Sequence, residues 1–169
     1  DELDPPLPHG YDFDGCDATA LLQARIEDGR IVLPSGMSYR VLLLANRPTM
    51  RPAVLRKIAE LVSAGAVVVG PRPQQSPSLA DVGDGDREVK DLGQRIWGPC
   101  DGRTVKEHAA GKGHVYWGLS FPDLFNRLGL APDFDWEAQS GDAEVLYIHR
   151  RIGEADVYFI SNQRLRPEP

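Results

Sequence analysis

The hydrophobic positions of this chain are concentrated in two short apolar runs that flank an amphipathic segment. The first run covers residues 39–45 and the second covers residues 66–69. Between them, apolar residues recur at helical spacing and form a single stripe, made of Val54, Leu55, Ile58, Leu61 and Val62. This pattern predicts a strand, a helix and a second, parallel strand, which is the unit from which parallel sheets are built.

The residues at both ends of the amphipathic segment predict where this helix begins and ends. Thr49 is a candidate N-cap, because its hydroxyl can accept from the free amides of the first turn. Pro52 is tolerated in that turn, where no amide partner is lost. Gly65 predicts the end of the helix, since it adopts a left-handed conformation without a Cβ clash.

The rest of the pattern predicts a three-layer α/β domain with a mainly parallel sheet and an antiparallel hairpin near its C-terminus. We place the α/β domain at residues 1–144, with an extended segment over residues 1–17. The hairpin occupies residues 145–169, at the sheet edge or leading into a following domain. The remaining predicted elements are a helix over 18–24 capped by Asp17, a strand over 30–33, a helix over 84–96, a strand over 114–117, a helix over 121–128, and hairpin strands over 145–151 and 156–162.

Size and charge restrict the class of protein. The 169 residues fit one domain, and a net charge of −6 argues against a general binder of nucleic acid or anionic membranes. The apolar runs fall short of the roughly 20 residues that span a bilayer. Because position 1 is Asp, we expect the sequence to begin inside a longer polypeptide.

The sequence carries no strong signature of a nucleophile, a cofactor or a metal. Cys16 and Cys100 could pair, although two free structural thiols are the favoured interpretation. Neither cysteine stands between a strand and a helix, as a class I amidotransferase nucleophile would. Residues 46–49 hold no glycine to cradle a phosphate. The acidic residues near position 12 lack the glycine and glutamate of a calcium loop, and the histidines lack zinc spacing.

The loop after the second apolar run is the candidate site. Ligand and partner crevices of α/β sheets lie at the carboxyl ends of strands, and this loop leaves such an end. Its prolines restrict four polar residues, Arg72, Gln75, Ser76 and Ser78. These residues are candidates for facing a ligand or another domain, and the favoured interpretation is a rigid structural connection that packs against another domain.

Two further interpretations stay open. Asp84 and Asp86 could serve as the carboxylates of a small independent hydrolase, since only their separation in space decides the mechanism. Trp117 or Trp136, the latter with Glu137 beside it, could form a stacking platform for a sugar.

Several strings, taken in order, resemble the α-L-rhamnosidases of glycoside hydrolase family 106. Together they cover nearly the whole chain. They are HGYDFD at 9–14, LPSGMSYRVL at 33–42, GAVVVGPRP at 65–73, SPSL at 76–79, IWG at 96–98, GKG at 111–113, IHRR at 148–151 and DVYFISN at 156–162.

The resemblance implies a piece of a larger, secreted or periplasmic bacterial enzyme. Such enzymes have a (β/α)8 catalytic barrel, then a flavodoxin- or class I amidotransferase-like α/β domain, then β-sandwich domains. This chain resembles the α/β domain. The family's catalytic carboxylates and metal site belong to the barrel, so none is carried onto a residue here. The implied role is a non-catalytic accessory domain without a cofactor, whose partners are the barrel, the β-sandwich domains and carbohydrate.

Overall fold

The computed structural model describes residues 6–78, 83–137 and 141–167. Its helices are α1 (Ala18–Leu22), α2 (Pro52–Ala64), α3 (Asp84–Trp97) and α4 (Phe121–Leu128). Its strands are β1 (Arg25–Glu27), β2 (Arg30–Val32), β3 (Ser38–Tyr39), β4 (Val41–Leu43), β5 (Val67–Val69), β6 (Glu107–Ala110), β7 (Gly113–Tyr116), β8 (Val145–Ile152) and β9 (Ala155–Asn162). In this part of the chain, no helix is long and apolar enough to cross a membrane.

The chain divides into two compact units. The larger unit is Gly15–Ser120, and the smaller unit combines Asp1–Asp14 with Phe121–Pro169. The sequence instead predicts a boundary between residues 144 and 145. The first five residues of the predicted extended segment lie outside the described residues.

The larger unit is built on a four-stranded sheet in the order β4-β5-β7-β6. Strands β4, β5 and β7 are parallel, and β6 pairs antiparallel with β7. Helix α2 connects the parallel pair β4 and β5, so the predicted strand–helix–strand unit is confirmed. A second small sheet, β1-β2-β3, is antiparallel throughout.

The core of the larger unit lies between the main sheet and helices α2 and α3. Ile58 of α2 and Val89 of α3 are fully buried together with the sheet residue Val68. Trp97 ends α3 inside this core, and its indole Nε1 donates to the carbonyl oxygen of Gly70 at 3.0 Å. Burial of these apolar side chains supplies the main driving force for folding of this unit.

Close packing at the start of β7 requires a glycine. A Cβ on Gly113 would lie 2.3 Å from the carbonyl oxygen of Ala66 and 2.4 Å from that of Val62. Both oxygens belong to backbone, which cannot rotate away as a flexible side chain could. The strand therefore approaches the end of α2 more closely than any other residue type would allow.

The expectation of a three-layer, flavodoxin- or class I amidotransferase-like domain is wrong. Three layers need helices on both faces of a parallel sheet, and right-handed crossovers put them there only where the strand order reverses. Here the parallel strands run from β4 to β5 to β7 without reversal, and α2 packs against α3. The chain has small mixed sheets and few helices instead, although the predicted C-terminal antiparallel hairpin is present.

Two local predictions are also wrong. The apolar run over residues 39–45 is not one strand, because the chain bends at Arg40 and passes from the antiparallel sheet to the main sheet. Thr49 does not cap α2: the N-cap is Arg51, and Thr49 instead forms a parallel bridge with Gln75. Other boundaries follow the pattern, including the Asp17 cap of α1 and Gly65 at the end of α2.

The smaller unit contains α4 and the hairpin β8–β9. Tyr11 lies against Phe125 of α4 with ring centroids 4.3 Å apart, and its hydroxyl donates to the carbonyl oxygen of Leu130 at 2.8 Å. In the hairpin, every residue from Val145 to Ile152 is paired with one of β9.

Candidate functional site

The candidate site is the first part of the segment between β5 and α3, residues 70–78, here called the β5–α3 loop. It leaves the carboxyl end of β5, as predicted from the sequence. Arg72 of this loop lies along α3, where its Nη1 donates to the Gln94 side chain at 2.7 Å and to the Gly98 carbonyl oxygen at 3.4 Å. A Cβ on Gly93 would come within 3.1 Å of the Arg72 Cγ, so α3 and this side chain are closely packed. Arg72 thus fastens the loop to α3.

The backbone of the β5–α3 loop is fixed on its other side by the segment before α2. The amide of Met50 donates to the carbonyl oxygen of Gln75 at 3.1 Å, and the amide of Gln75 donates to Pro48 at 3.3 Å. The side chain of Gln75 is exposed. The loop is therefore held between two elements through its main chain and through Arg72.

Ser76 and Ser78 lie at the end of the loop next to α3. The amide of Ser76 donates to the Asp86 carboxylate at 2.7 Å, and the amide of Ser78 donates to the Ser76 hydroxyl at 3.2 Å. The structure brings these two serines and Asp86 together, whereas Arg72 is engaged further along α3. That the four loop residues face a ligand or another domain stays a prediction.

The two acidic residues considered as a hydrolytic pair have different surroundings. Asp86 accepts a hydrogen bond from the loop backbone, whereas Asp84 is exposed and lies 3.7 Å from Arg87 of the same helix. The Asp86 carboxylate holds the loop, and the exposed Asp84 carboxylate is paired with Arg87. Their contacts differ from those of two carboxylates that flank a bond to be cleaved.

An open groove of about 620 Å³ runs beside the β5–α3 loop. Its lining combines charged side chains with the apolar residues Pro52, Ala53 and Pro77, and Arg56 and Glu88 form an ion pair within it. A neighbouring groove of about 410 Å³ continues along α3 and is lined by charged residues and Leu92. Small-molecule sites enclose most of the surface of their ligand, whereas both grooves are open to solvent, so neither has the shape of an enclosed substrate pocket.

The smaller unit holds a polar cluster centred on His149. Its Nδ1 lies 2.9 Å from the Asp133 carboxylate and its Nε2 lies 2.9 Å from the Asp156 carboxylate. The ring stacks on Tyr158 at a centroid distance of 4.2 Å. A neutral imidazole has one N–H, so it can donate to both carboxylates only as the imidazolium ion.

The phenol groups of this cluster are held in their protonated form. Burial, and then the charges of Asp133 and Asp12, raise the pKa of Tyr147 to about 12. Burial followed by the charge of Asp133 also raises the pKa of Tyr158. The buried hydroxyl of Tyr147 has no hydrogen-bond partner among the described residues. A raised pKa disfavours the phenolate, which is the more nucleophilic form of a tyrosine side chain.

Sequence reasoning missed this cluster because His149 was considered only as a metal ligand. Its partners are far apart in the sequence, and Asp133 lies in an irregular segment. The signal available was the predicted hairpin, since antiparallel pairing across the turn near Gly153 brings Tyr158 opposite His149.

The two cysteines are free thiols, with Cys16 exposed and Cys100 buried. Burial raises the pKa of Cys100 above its ordinary value, against the opposing effect of a backbone hydrogen bond from Gly102. Burial and then the charge of Asp17 raise the pKa of Cys16. A raised pKa disfavours the thiolate, which is the reactive form.

The two tryptophans considered as sugar platforms are both half-buried. Trp117 packs at the edge of the core, where a Cβ on Gly102 would lie 2.6 Å from its ring. Trp136 meets the ring of His9 edge-on at a centroid distance of 5.9 Å. Glu137 is exposed. In the described ranges, no group of three or more His, Cys, Asp and Glu side chains is arranged to hold a metal ion.

Comparison with known proteins finds similarity to glycosidases. The family profile described as alpha-L-rhamnosidase, glycoside hydrolase family 106, matches residues 1–169. A Formosa agariphila protein with the provisional name beta-glucuronidase is 36% identical over 155 residues, which is 92% of this chain. The structure of a rhamnosidase from Novosphingobium sp. PP1Y matches 93% of this chain with a TM-score of 0.80 and 30% identity. The chain spans about 12% of the first relative and 15% of the second.

Proposed function

Because the chain belongs to the alpha-L-rhamnosidase family of glycoside hydrolases, family 106, we propose that it is a non-catalytic accessory domain of a larger glycosidase. In this proposal it packs against a catalytic barrel and supports the sugar cleft. Its partners are then the barrel and β-sandwich domains of the same polypeptide. The chain accounts for only 12% and 15% of the two relatives, which leaves most of their length for other domains.

The observation that carries the proposal is the internal use of polar groups at the β5–α3 loop. Arg72 is bonded to α3, and Asp86 accepts from the Ser76 amide. Glycoside hydrolysis generally needs two carboxyl groups on either side of a shared cleft. The loop instead has the contacts of a rigid connection, which suits a surface that positions another domain.

The proposal is tested by measuring hydrolysis of an aryl α-L-rhamnoside by the purified 169-residue chain, beside a panel of other aryl glycosides. We expect no turnover from a chain that melts cooperatively, because the catalytic carboxylates would lie in another domain. Saturable turnover would overturn the proposal. In that event, Asp84→Asn and Asp86→Asn would be compared with Asp91→Asn, an exposed position on the same helix.

A second candidate function is sugar binding at Trp136. It is favoured by one observation: the half-exposed ring lies beside His9 and next to exposed carboxylates at Asp135 and Glu137. Aromatic faces next to polar groups suit a pyranose ring. Titration with rhamnose would change the tryptophan fluorescence of the wild-type chain, and Trp136→Phe would remove that response while Trp117→Phe would keep it. A response that depends on Trp117 instead would move the platform to that ring.

A further inference from the structure

We propose that one face of the hairpin β8–β9 docks onto another part of the same, longer polypeptide, through an apolar surface with an acidic or carbonyl acceptor opposite Arg150. This inference rests on the proposed accessory function and names the surface that would carry it. We call this surface the outer face of the hairpin. It consists of Leu146, Ile148, Ile152, Val157 and Phe159.

The register of the hairpin puts these five side chains on one face. Ile148 lies directly opposite Phe159, and Arg150 lies opposite Val157. Residues opposite each other in an antiparallel pair, and residues two apart on a strand, point to the same side of the sheet. The apolar residues therefore form one stripe along the hairpin, roughly 20 Å long from Leu146 to Ile152 at about 3.4 Å per residue.

The stripe is solvent-exposed in this chain. Phe159 and Ile152 are each 68% exposed, Leu146 is 57% exposed, and Ile148 and Val157 are each 46% exposed. Scattered exposed apolar residues are ordinary, but contiguous ones on one face mark an interaction surface.

The opposite face of the hairpin is partly covered within the smaller unit, although Ile160 on that face is 52% exposed and Tyr158 is 38% exposed. Tyr147 packs on Phe134 at a centroid distance of 4.9 Å, and His149 pairs with Asp133. A sheet with one covered and one solvated face normally alternates apolar and polar residues. This hairpin places apolar residues on its solvated side as well, so its sequence fits a strand pair that is covered on both faces.

The length of the relatives indicates what covers the outer face of the hairpin. The chain matches 12% of one relative and 15% of another, so each has most of its polypeptide outside the matched part. A segment of the same polypeptide is present at high effective concentration, which favours it over a separate protein.

Arg150 is exposed within the stripe, and its Nη1 donates to the backbone carbonyl oxygen of His149 at 2.8 Å. Its remaining donors select an acceptor on the occupant.

Carbene footprinting tests the proposal by comparing the 169-residue chain with the full-length polypeptide from which it comes. Labelling of Phe159 and Ile148 should fall roughly tenfold in the full-length protein, because residues at the centre of an interface become almost fully buried. Leu55, which is fully buried here, is the internal control and should stay unlabelled in both. Equal labelling of the outer face in both proteins would overturn the proposal.

A matched pair of variants distinguishes the occupants. Phe159→Gln should lower the melting temperature of the full-length polypeptide but not that of the 169-residue chain, whereas Glu154→Gln in the hairpin turn should leave both unchanged. If the 169-residue chain is instead a dimer that Phe159→Gln dissociates, the occupant is a second copy and the proposal fails. Rhamnoside turnover by the 169-residue chain would overturn the accessory function alone, since footprinting is independent of activity.

Discussion

The two units of this chain use similar aliphatic residues to opposite effect. In the unit Gly15–Ser120, Ile58 is fully buried between a helix and the sheet. In the smaller unit, Ile148 of the hairpin is 46% exposed on the outer face. Residue type and local propensity do not separate these two positions. What separates them is whether a second layer is present within the chain to cover the element.

This difference gives a rule for interpreting buried and exposed apolar residues in one domain of a multidomain family. Where the covering layer belongs to the chain, burial marks the core. Where apolar residues share one exposed face, the covering layer belongs to something else. Substitutions in the larger unit therefore test the stability of this chain, and substitutions on the outer face of the hairpin test its contact with another part of the polypeptide.

The sharpest test of this comparison is one substitution made in both units. Ile58→Ala should lower the free energy of unfolding by about 2–5 kcal/mol, because it removes buried methyl groups and leaves a cavity. Ile148→Ala in the 169-residue chain should change it by no more than about 0.5 kcal/mol, as usual for an exposed position. Urea denaturation of both variants measures the difference. Similar losses for the two variants would show that the outer face is covered within the chain.

A smaller effect is expected from the indole hydrogen bond. Trp97→Phe keeps an aromatic ring in the core but leaves the Gly70 carbonyl oxygen without its 3.0 Å donor. An unsatisfied buried acceptor costs about 1–3 kcal/mol. Trp136→Phe is the control, since Trp136 is half-buried and its ring contact is with His9. The same urea titration should give a clear loss for the first variant only, and equal losses would contradict the prediction.

The smallest effect concerns acid sensitivity. The Asp101 carboxylate accepts from the amides of Arg103, Thr104 and Val105 at 2.8–2.9 Å, and these bonds hold its pKa below the ordinary 3.8. A lowered pKa contributes stability that is present above the unfolded-state value and is lost as the pH falls through the folded-state value. The melting temperature of Asp101→Asn should therefore lie below that of the wild type at pH 6, and the gap should close below about pH 4.

Asp142 in the smaller unit provides the matched comparison. A side-chain hydrogen bond from Arg166 lowers its pKa, and both partners are exposed. Salt screens exposed charges, so the effect of Asp142→Asn should vanish at 1 M salt. The effect of Asp101→Asn should persist there, because its partners are backbone amides. If both effects disappear in salt, the Asp101 bonds are no stronger than a surface ion pair.

Much of the local structure could be predicted from the sequence. Helix α2 follows from its apolar stripe and from Gly65, and the hairpin follows from two runs around Gly153. The layer arrangement could not be predicted, because it depends on strand order. The order β4-β5-β7 depends on which edge of the sheet pairs with β7, and no local sequence pattern predicts that pairing. The bend at Arg40 was missed because an apolar run looks the same whether it serves one sheet or two.

The candidate site shows a similar division. The position of the β5–α3 loop at the end of β5 follows from the order of elements. The engagement of Arg72 with Gln94 does not, because it depends on where α3 lies in space. The His149 cluster depends on Asp133, which lies in a segment without periodicity. Sequence patterns therefore predict contacts between regular and irregular segments least well.

The unidirectional strand order has a consequence for the time course of folding. Val41 pairs with Val67, and Val67 pairs with His114, so the second closure encloses nearly twice as much chain as the first. Larger loops lose more entropy on closing and form more slowly. During synthesis from the N-terminus, β4, α2 and β5 can assemble before β7 has left the ribosome. We therefore expect β7, with its tight approach at Gly113, to complete the sheet last.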